Sequence, residues 1–256
     1  MAARTVPVRA FAAAGVVAVL VAGLSACASA SDDKAPEHRS FALDGRTLTV
    51  DSDDSALEIV AADEHTSGKV QVTRWFKGSV VVGSEPEVTW KMEDDRLVLR
   101  MDCSGVVADC AARHRVEVPR GVAVKVRDGD GSVRARGFRD ALDIRTRDGS
   151  VRVTDSTGPL ELRTADGSVR AEVSSRRVSA HTNDGSVRLE LGTVPDLVES
   201  RSGDGSVSIT LPRATYKVAT STGDGAVDVS VPRDDSSAHV VNARTGDGKV
   251  TVRTAN

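Results

Sequence analysis

Acidic side chains in this 256-residue chain recur at a spacing that could do chemistry. The tetrapeptide Asp-Gly-Ser-Val begins at Asp130, Asp148, Asp166, Asp184 and Asp204, then returns as Asp-Gly-Ala-Val at Asp224 and Asp-Gly-Lys-Val at Asp247. Carboxylates brought into line by such a repeat could share a hard cation such as Ca2+. Adjacent unit charges at strand spacing repel by only about 1 kcal/mol in water, however, so the line requires no ion. The sequence also lacks the Gly-Gly-x-Gly-x-Asp pattern of calcium-filled β-rolls. No cofactor is expected, and Ca2+ is the one metal the residues bring into question. Asp143, Glu161, Glu172 and Glu190 could be imagined as paired acids cleaving a glycan, but each stands near arginines, the pattern of a solvated, salt-bridged face. His38, His65, His114, His181 and His239 show neither HxH nor HExxH spacing, and there is no GxSxG elbow or GxxxxGK[ST] loop. A serine that follows Asp-Gly in five copies marks a structural corner rather than one nucleophile. The chain is therefore expected to have no catalytic residue and not to be an enzyme.

The three cysteines carry a different chemistry. Arg4 and Arg9 precede an uncharged apolar run from Ala10 to Leu24, the pattern of a secretion signal. The run is shorter than the roughly 20 residues of a comfortable membrane span. Leu24-Ser25-Ala26-Cys27, which closes it, resembles the lipobox of bacterial lipoproteins. That resemblance implies a leader, residues 1–26, cut off before Cys27, and a diacylglycerol on the Cys27 thiol that anchors an extracytoplasmic protein to a membrane. Each buried methylene of such an anchor contributes ~0.8 kcal/mol. Residues 27–40, rich in Ala, Ser, Asp and Lys, read as a flexible tether. Loss of the leader removes two arginines and no acid, moving the net charge from −3 to −5. With no basic cluster interleaved with aromatics, nucleic acid is not an expected partner. Cys103 and Cys110, in an oxidising compartment, are expected to form a disulfide; their spacing is not CxxC and no second ligand pair accompanies them.

A composition of 39% hydrophobic, 3% aromatic and 28% charged residues, with 22 Gly and 8 Pro, is too apolar for a disordered chain and too interrupted for a helical bundle. A β protein is expected. Around each Asp-Gly the apolar positions alternate at period two: Leu160 and Leu162 before Asp166, Val169 and Ala171 after it, with a hydroxyl (Thr146, Thr164, Thr182, Ser202, Thr222, Thr245) two residues before the Asp of the last six copies. Each repeat is thus strand, corner, strand. Gly131, Gly149, Gly167, Gly185, Gly205, Gly225 and Gly248 are expected to supply positive φ at the corner, and the Asp carboxylates to accept bonds from the turn amides. Two architectures satisfy the pattern. In a parallel β-solenoid of ~18–23-residue two-stranded rungs, equivalent residues stack ~4.8 Å apart; in an antiparallel meander, each Asp-Gly is a hairpin turn. A hairpin would oppose Arg145 to Arg152 and Arg163 to Arg170, which favours the solenoid. Residues 41–62 look like a degenerate first unit, with Asp54-Ser55 at the corner. One domain is expected over 41–256, with 41–120 an irregular β cap and 121–256 the regular array.

Stacking would align Arg134, Arg152, Arg170 and Arg188 into a ladder able to grip an anionic envelope polymer or lipid head group. Trp75 and Trp90 are further binding candidates, or plugs of the solenoid end. The leader, the Val-Glu-Val-Pro-Arg-Gly-Val run of residues 116–122 and the serial Asp-Gly-Ser-Val units resemble the DUF4097 putative-adhesin family. The resemblance implies an all-β repeat domain at the cell surface, adhesive or acting as an envelope-stress sensor through a membrane partner, and it supplies no catalytic residues.

Overall fold

The computed structural model describes residues 29–30, 33–62 and 68–255. Cys27, residues 1–26 and His65 lie outside the described residues. Those described form 21 strands and no α-helix, arranged in two sheets that face each other across one core.

The regular part decides between the two architectures. Strands β8 (Ala123–Asp128) and β9 (Val133–Arg136) flank the first Asp-Gly corner, and they belong to different sheets. The same holds for β10 (Leu142–Thr146) and β11 (Val151–Thr154), β12 (Leu160–Thr164) and β13 (Val169–Val173), β14 (Arg177–His181) and β15 (Val187–Leu191), and β16 (Leu197–Arg201) and β17 (Val207–Leu211). Each strand pairs in parallel with its counterpart one repeat away, Leu160 beside Leu142 and Val169 beside Val151. The chain is a parallel β-solenoid; the meander is excluded, because the strands joined by a corner do not pair.

Alternation supplies the core. Val133, Val151, Val169, Val187 and Val207 form one buried column, and Leu142, Leu160, Val178 and Val198 one on the facing sheet. The intervening residues point to solvent, as one face of each strand must.

At most corners the physical reason for glycine is not the expected one. Gly225 and Gly248 have the expected positive φ, at 159° and 157°, but Gly131, Gly149, Gly167, Gly185 and Gly205 do not. They are required because stacked corners approach so closely that a Cβ on Gly167 would sit inside van der Waals contact with the Gly149 carbonyl, and one on Gly185 against that of Gly167. Nor does the Asp carboxylate bind the turn amide. The hydroxyl two residues earlier does: Thr164 Oγ1 accepts from the Gly167 N–H at 3.1 Å and donates to the Gly149 carbonyl of the neighbouring rung at 3.0 Å. Thr182 repeats this with Gly185 and Gly167, and Ser202 with Gly205 and Gly185.

The ends depart from sequential stacking. Strands β2 (Thr47–Ser52) and β3 (Ala56–Ala61) form the expected first unit, pairing in parallel with β8 and β9. Outside them lies a further rung, β6 (Arg96–Asp102) and β7 (Ala108–Val118), whose corner is closed by the Cys103–Cys110 disulfide. Antiparallel strands then cover it: β5 (Glu87–Glu93) on β6, β4 (Lys69–Val80) on β7, and β1 (Glu37–Ala42) on β4. Strand β1 begins inside the 27–40 range expected to be tether. Asp33, also in that range, accepts from the Phe76 N–H of β4 at 3.1 Å. At the other end, β18 (Lys217–Asp224) and β19 (Val227–Val229) are outermost, and the later strands β20 (Val240–Asp247) and β21 (Val250–Thr254) insert between them and β16 and β17. The last two repeats therefore stack in reverse order.

The close approach of corners yields a contrast. Gly167→Ala is expected to lower stability by about 2 kcal/mol or more, since the obstructing atom is backbone that cannot swing away. Asp166→Asn at the exposed neighbouring position is expected to stay within about 0.5 kcal/mol. Urea titration of the two variants compares them directly; equal losses would show that the carboxylate, not the glycine, holds the corner.

Candidate functional site

Register converts each outward repeat position into a column. On the sheet containing β9, Arg134, Arg152, Arg170 and Arg188 stand side by side on β9, β11, β13 and β15, continued at one end by Glu58 of β3. Two residues further along these strands runs a second column with Arg136, Thr154, Glu172 and Glu190. Arg152 pairs with Glu172 at 3.1 Å, and Arg170 with Glu172 at 2.7 Å and Glu190 at 3.8 Å. Arg134 and Arg188 make no ion pair among the described residues. A shallow cavity of about 330 Å³ opens beside Arg134, Arg136, Arg152 and Arg115, with Glu58 in its wall.

The acids considered for glycan cleavage are dispersed. Asp143 and Glu161 lie on the sheet containing β10, bonded to Arg145 at 3.1 and 3.3 Å, with Glu161 also 2.8 Å from Arg163. Glu172 and Glu190 lie on the opposite sheet, so the four form no shared site. The corner carboxylates do line up. Desolvation, with Asp130 and Asp166 on either side, raises the pKa of Asp148. Among the described residues no group of three or more His, Cys, Asp or Glu is placed to hold a metal ion.

The tryptophans have other partners. Trp90 is 9% exposed, wedged between Arg74 and Arg39 with Phe41 at its edge, and it plugs the end of the core. Trp75 is half-buried beneath the Arg113 guanidinium, 4.7 Å from the ring centroid. Behind Trp90, His114 occupies a core position with neither ring nitrogen bonded. Burial first, then Arg74, lowers its pKa to about 4.

Two features were not anticipated. Val81, Val82, Val106 and Val107 are 58–81% exposed and meet at the tip where β4 and β7 extend past β3, tied by bonds between Val81 and Val107 and between Val106 and Val82. The sequence signal was two apolar runs without alternation. On the sheet containing β10, Arg127, Arg145, Arg163, His181, Arg201 and Arg244 form an unbroken column of basic side chains. Its signal was an arginine or histidine three residues before the Asp in six of seven repeats.

A family profile described as Toastrack DUF4097 matches residues 25–256. The chain belongs to that family. Two solved structures are similar to this chain at low identity. One is titled a putative adhesin from Parabacteroides merdae (14% identity, 86% of this chain and 96% of that chain covered, TM-score 0.43). The other is titled a putative cell adhesion protein from Clostridium sporogenes (14% identity, 86% and 100% covered, TM-score 0.35). A search of curated proteins returned no match.

One buried group in this Toastrack domain breaks the corner rule. Asp128 stands in the hydroxyl column between Ser52 and Thr146, 9% exposed. Ser52 Oγ and the Gly131 N–H come near its carboxyl, yet neither carboxyl oxygen completes a hydrogen bond. Burial, with Asp54 and Asp130 adding to it, raises the pKa to about 7. A folded pKa above the usual 3.8 means the protonated acid is the stable form, so stability is full below pH 3.8 and falls as pH rises towards 7. The full loss corresponds to at most about 4 kcal/mol. Asp128→Thr, which restores the column residue, is expected to raise the melting temperature at pH 8 by several degrees and much less at pH 4, as thermal scans would record. An equal gain at both pH values would contradict the buried charge.

Proposed function

We propose that this Toastrack chain is a lipid-anchored, extracytoplasmic, non-catalytic adhesion protein that holds an anionic polymer of the cell envelope. The observation carrying this reading is the exposed column of Arg134, Arg152, Arg170 and Arg188 in adjacent register. Guanidinium forks repeated at ~4.8 Å fit a ligand that repeats its own charges, and they make contact through charge-assisted bonds. Isolated pairs with solvent-exposed acids stabilise the fold little, and Arg134 and Arg188 lack even those. The Cys27 thiol carries the anchor in this reading. The domain follows it after a short segment.

The test has two arms. Cys27→Ser is expected to move the protein from the membrane fraction to the soluble one. Arg134→Gln with Arg188→Gln is expected to weaken retention on isolated envelope polymer several-fold at low salt and to flatten the salt dependence, because fewer counterions are released. Retention unchanged by the double substitution at every salt concentration would remove the arginine column from the reading.

A second reading, an accessory protein acting through a membrane partner, is favoured by the valine tip. Exposed apolar side chains clustered where two hydrogen-bonded segments, one after β4 and one before β7, run side by side are what a protein interface buries. A photo-crosslinker in place of Val106 is expected to capture one membrane protein in living cells. Capture of none, while envelope polymer is still bound, leaves adhesion alone.

A further inference from the structure

The second basic column differs from the first in what stands beside it. On β12, β14, β16 and β20 the row runs Arg163, His181, Arg201, Arg244, each in Cα register with the next. The parallel row two residues earlier reads Glu161, Ser179, Glu199, Asn242. Glu161 neutralises Arg163 at 2.8 Å. Ser179 and Asn242 then replace acids by neutral hydroxyl and amide groups, and Arg201 and Arg244, both exposed, make no ion pair among the described residues. The imidazole of His181 is shorter than its arginine neighbours, and a cavity of about 440 Å³ opens over it, lined by Arg163, Ser179, Glu199, Arg201, Asn242 and Arg244. A second cavity of about 420 Å³ shares Arg163, Ser179 and Glu199 and continues the trough towards Lys125.

We propose that this trough binds a linear acidic glycan lying across the strands, its anionic groups on Arg201, Arg244 and His181 and its hydroxyls on Ser179, Glu199 and Asn242. The inference rests on the envelope-binding reading and assigns it a ligand class and a second face. A polymer that carried charge alone would leave Glu199 facing an anion and Asn242 and Ser179 without a use. A sugar chain supplies hydroxyl donors for Glu199 and acceptors for the amide. The ~4.8 Å between strands is close to the length of one sugar residue in an extended chain, so each rung meets one residue. Guanidinium binds carboxylate and phosphate alike, so the acidic group is either of these.

The trough has a titration signature. Burial, then Arg201 of β16 and Arg163 of β12, lower the pKa of His181, while Asn183 opposes the shift; Glu161 and Glu199 are the acids of the same two strands. An anion seated between the arginines favours the imidazolium. Affinity therefore rises as pH falls below the ordinary histidine value of about 6.5.

Calorimetric titration of the purified protein with oligogalacturonate, a neutral glucan of equal length and polyphosphate, at about pH 5.5 and about pH 7.5, tests this. Oligogalacturonate is expected to bind, more tightly at the lower pH; the glucan is expected not to bind, and polyphosphate is expected to bind weakly and be lost in salt. Arg201→Gln with Arg244→Gln is expected to cost at least about tenfold. His181→Asn is expected to abolish the pH increment while circular dichroism and melting stay unchanged. Arg134→Gln with Arg188→Gln, on the other sheet, is expected to leave this titration unaltered. Loss of galacturonate binding through that second pair alone would overturn the trough and leave the adhesion reading standing. Binding of polyphosphate as tight as galacturonate in high salt would overturn the glycan. Failure of every anionic polymer would overturn both readings.

Discussion

The structure depends on how closely its corners stack. Gly149, Gly167 and Gly185 let one rung's backbone lie against the carbonyl of the rung beside it. The hydroxyls of Thr146, Thr164, Thr182 and Ser202 fill the space left on the inner side, each bonded at once to its own corner and to its neighbour's. A buried amide without such a partner would cost about 1–3 kcal/mol. One side chain thus shapes the turn and fixes the register between rungs. Register in turn decides which side chains become neighbours on the faces, so the arginine columns follow from a contact made by residues that carry no charge.

Much of this was legible in the sequence, for reasons that also mark where legibility ended. Alternation at period two placed Leu160, Leu162, Val169 and Ala171 in the core because a strand has only two faces. It could not separate solenoid from hairpin, since both preserve parity. Glycine is a packing need at five of the corners and takes positive φ only at Gly225 and Gly248, and a sequence records the residue without its reason. The order of the last rungs was hidden because neighbouring repeats are chemically alike: Val250 fits beside Val207 as well as Val227 would have done. The arginines after the corner line up into a ladder on any constant repeat, whereas those three residues before it enter the sequence pattern only as residues a hairpin would oppose to that ladder. Their common offset from the Asp was present in the sequence, but Arg201 and Arg244 are 43 residues apart and become neighbours only once β20 inserts beside β16.

The two ends show why the repeat alone cannot make a protein. A parallel array ends in unpaired edges, which invite further pairing. At the N-terminal end, antiparallel strands β4 and β5 cover β7 and β6, and Trp90 with His114 seals the core beneath cations contributed by Arg39 and Arg74. At the other end the chain places its most exposed and most polar rung outermost and returns to bury β20 and β21 behind it. Tyr216, fully buried, anchors that return, its hydroxyl donating to the Pro212 carbonyl at 2.7 Å.

A repeating fold also sorts charge. Any ionisable position kept through the repeat becomes a row of like charges, which is unfavourable by about 1 kcal/mol per neighbouring pair in water and is relieved by counter-charges in the adjoining row. Arg145, Arg152, Arg163 and Arg170 are relieved in this way by Asp143, Glu161, Glu172 and Glu190. Arg134, Arg188, Arg201 and Arg244 are not, although the chain as a whole carries more acids than bases. An acid or a neutral residue at those positions would serve stability better, and it is this excess of unrelieved cations, in line with the repeat, on which the proposed ligand with charges repeating along a line rests.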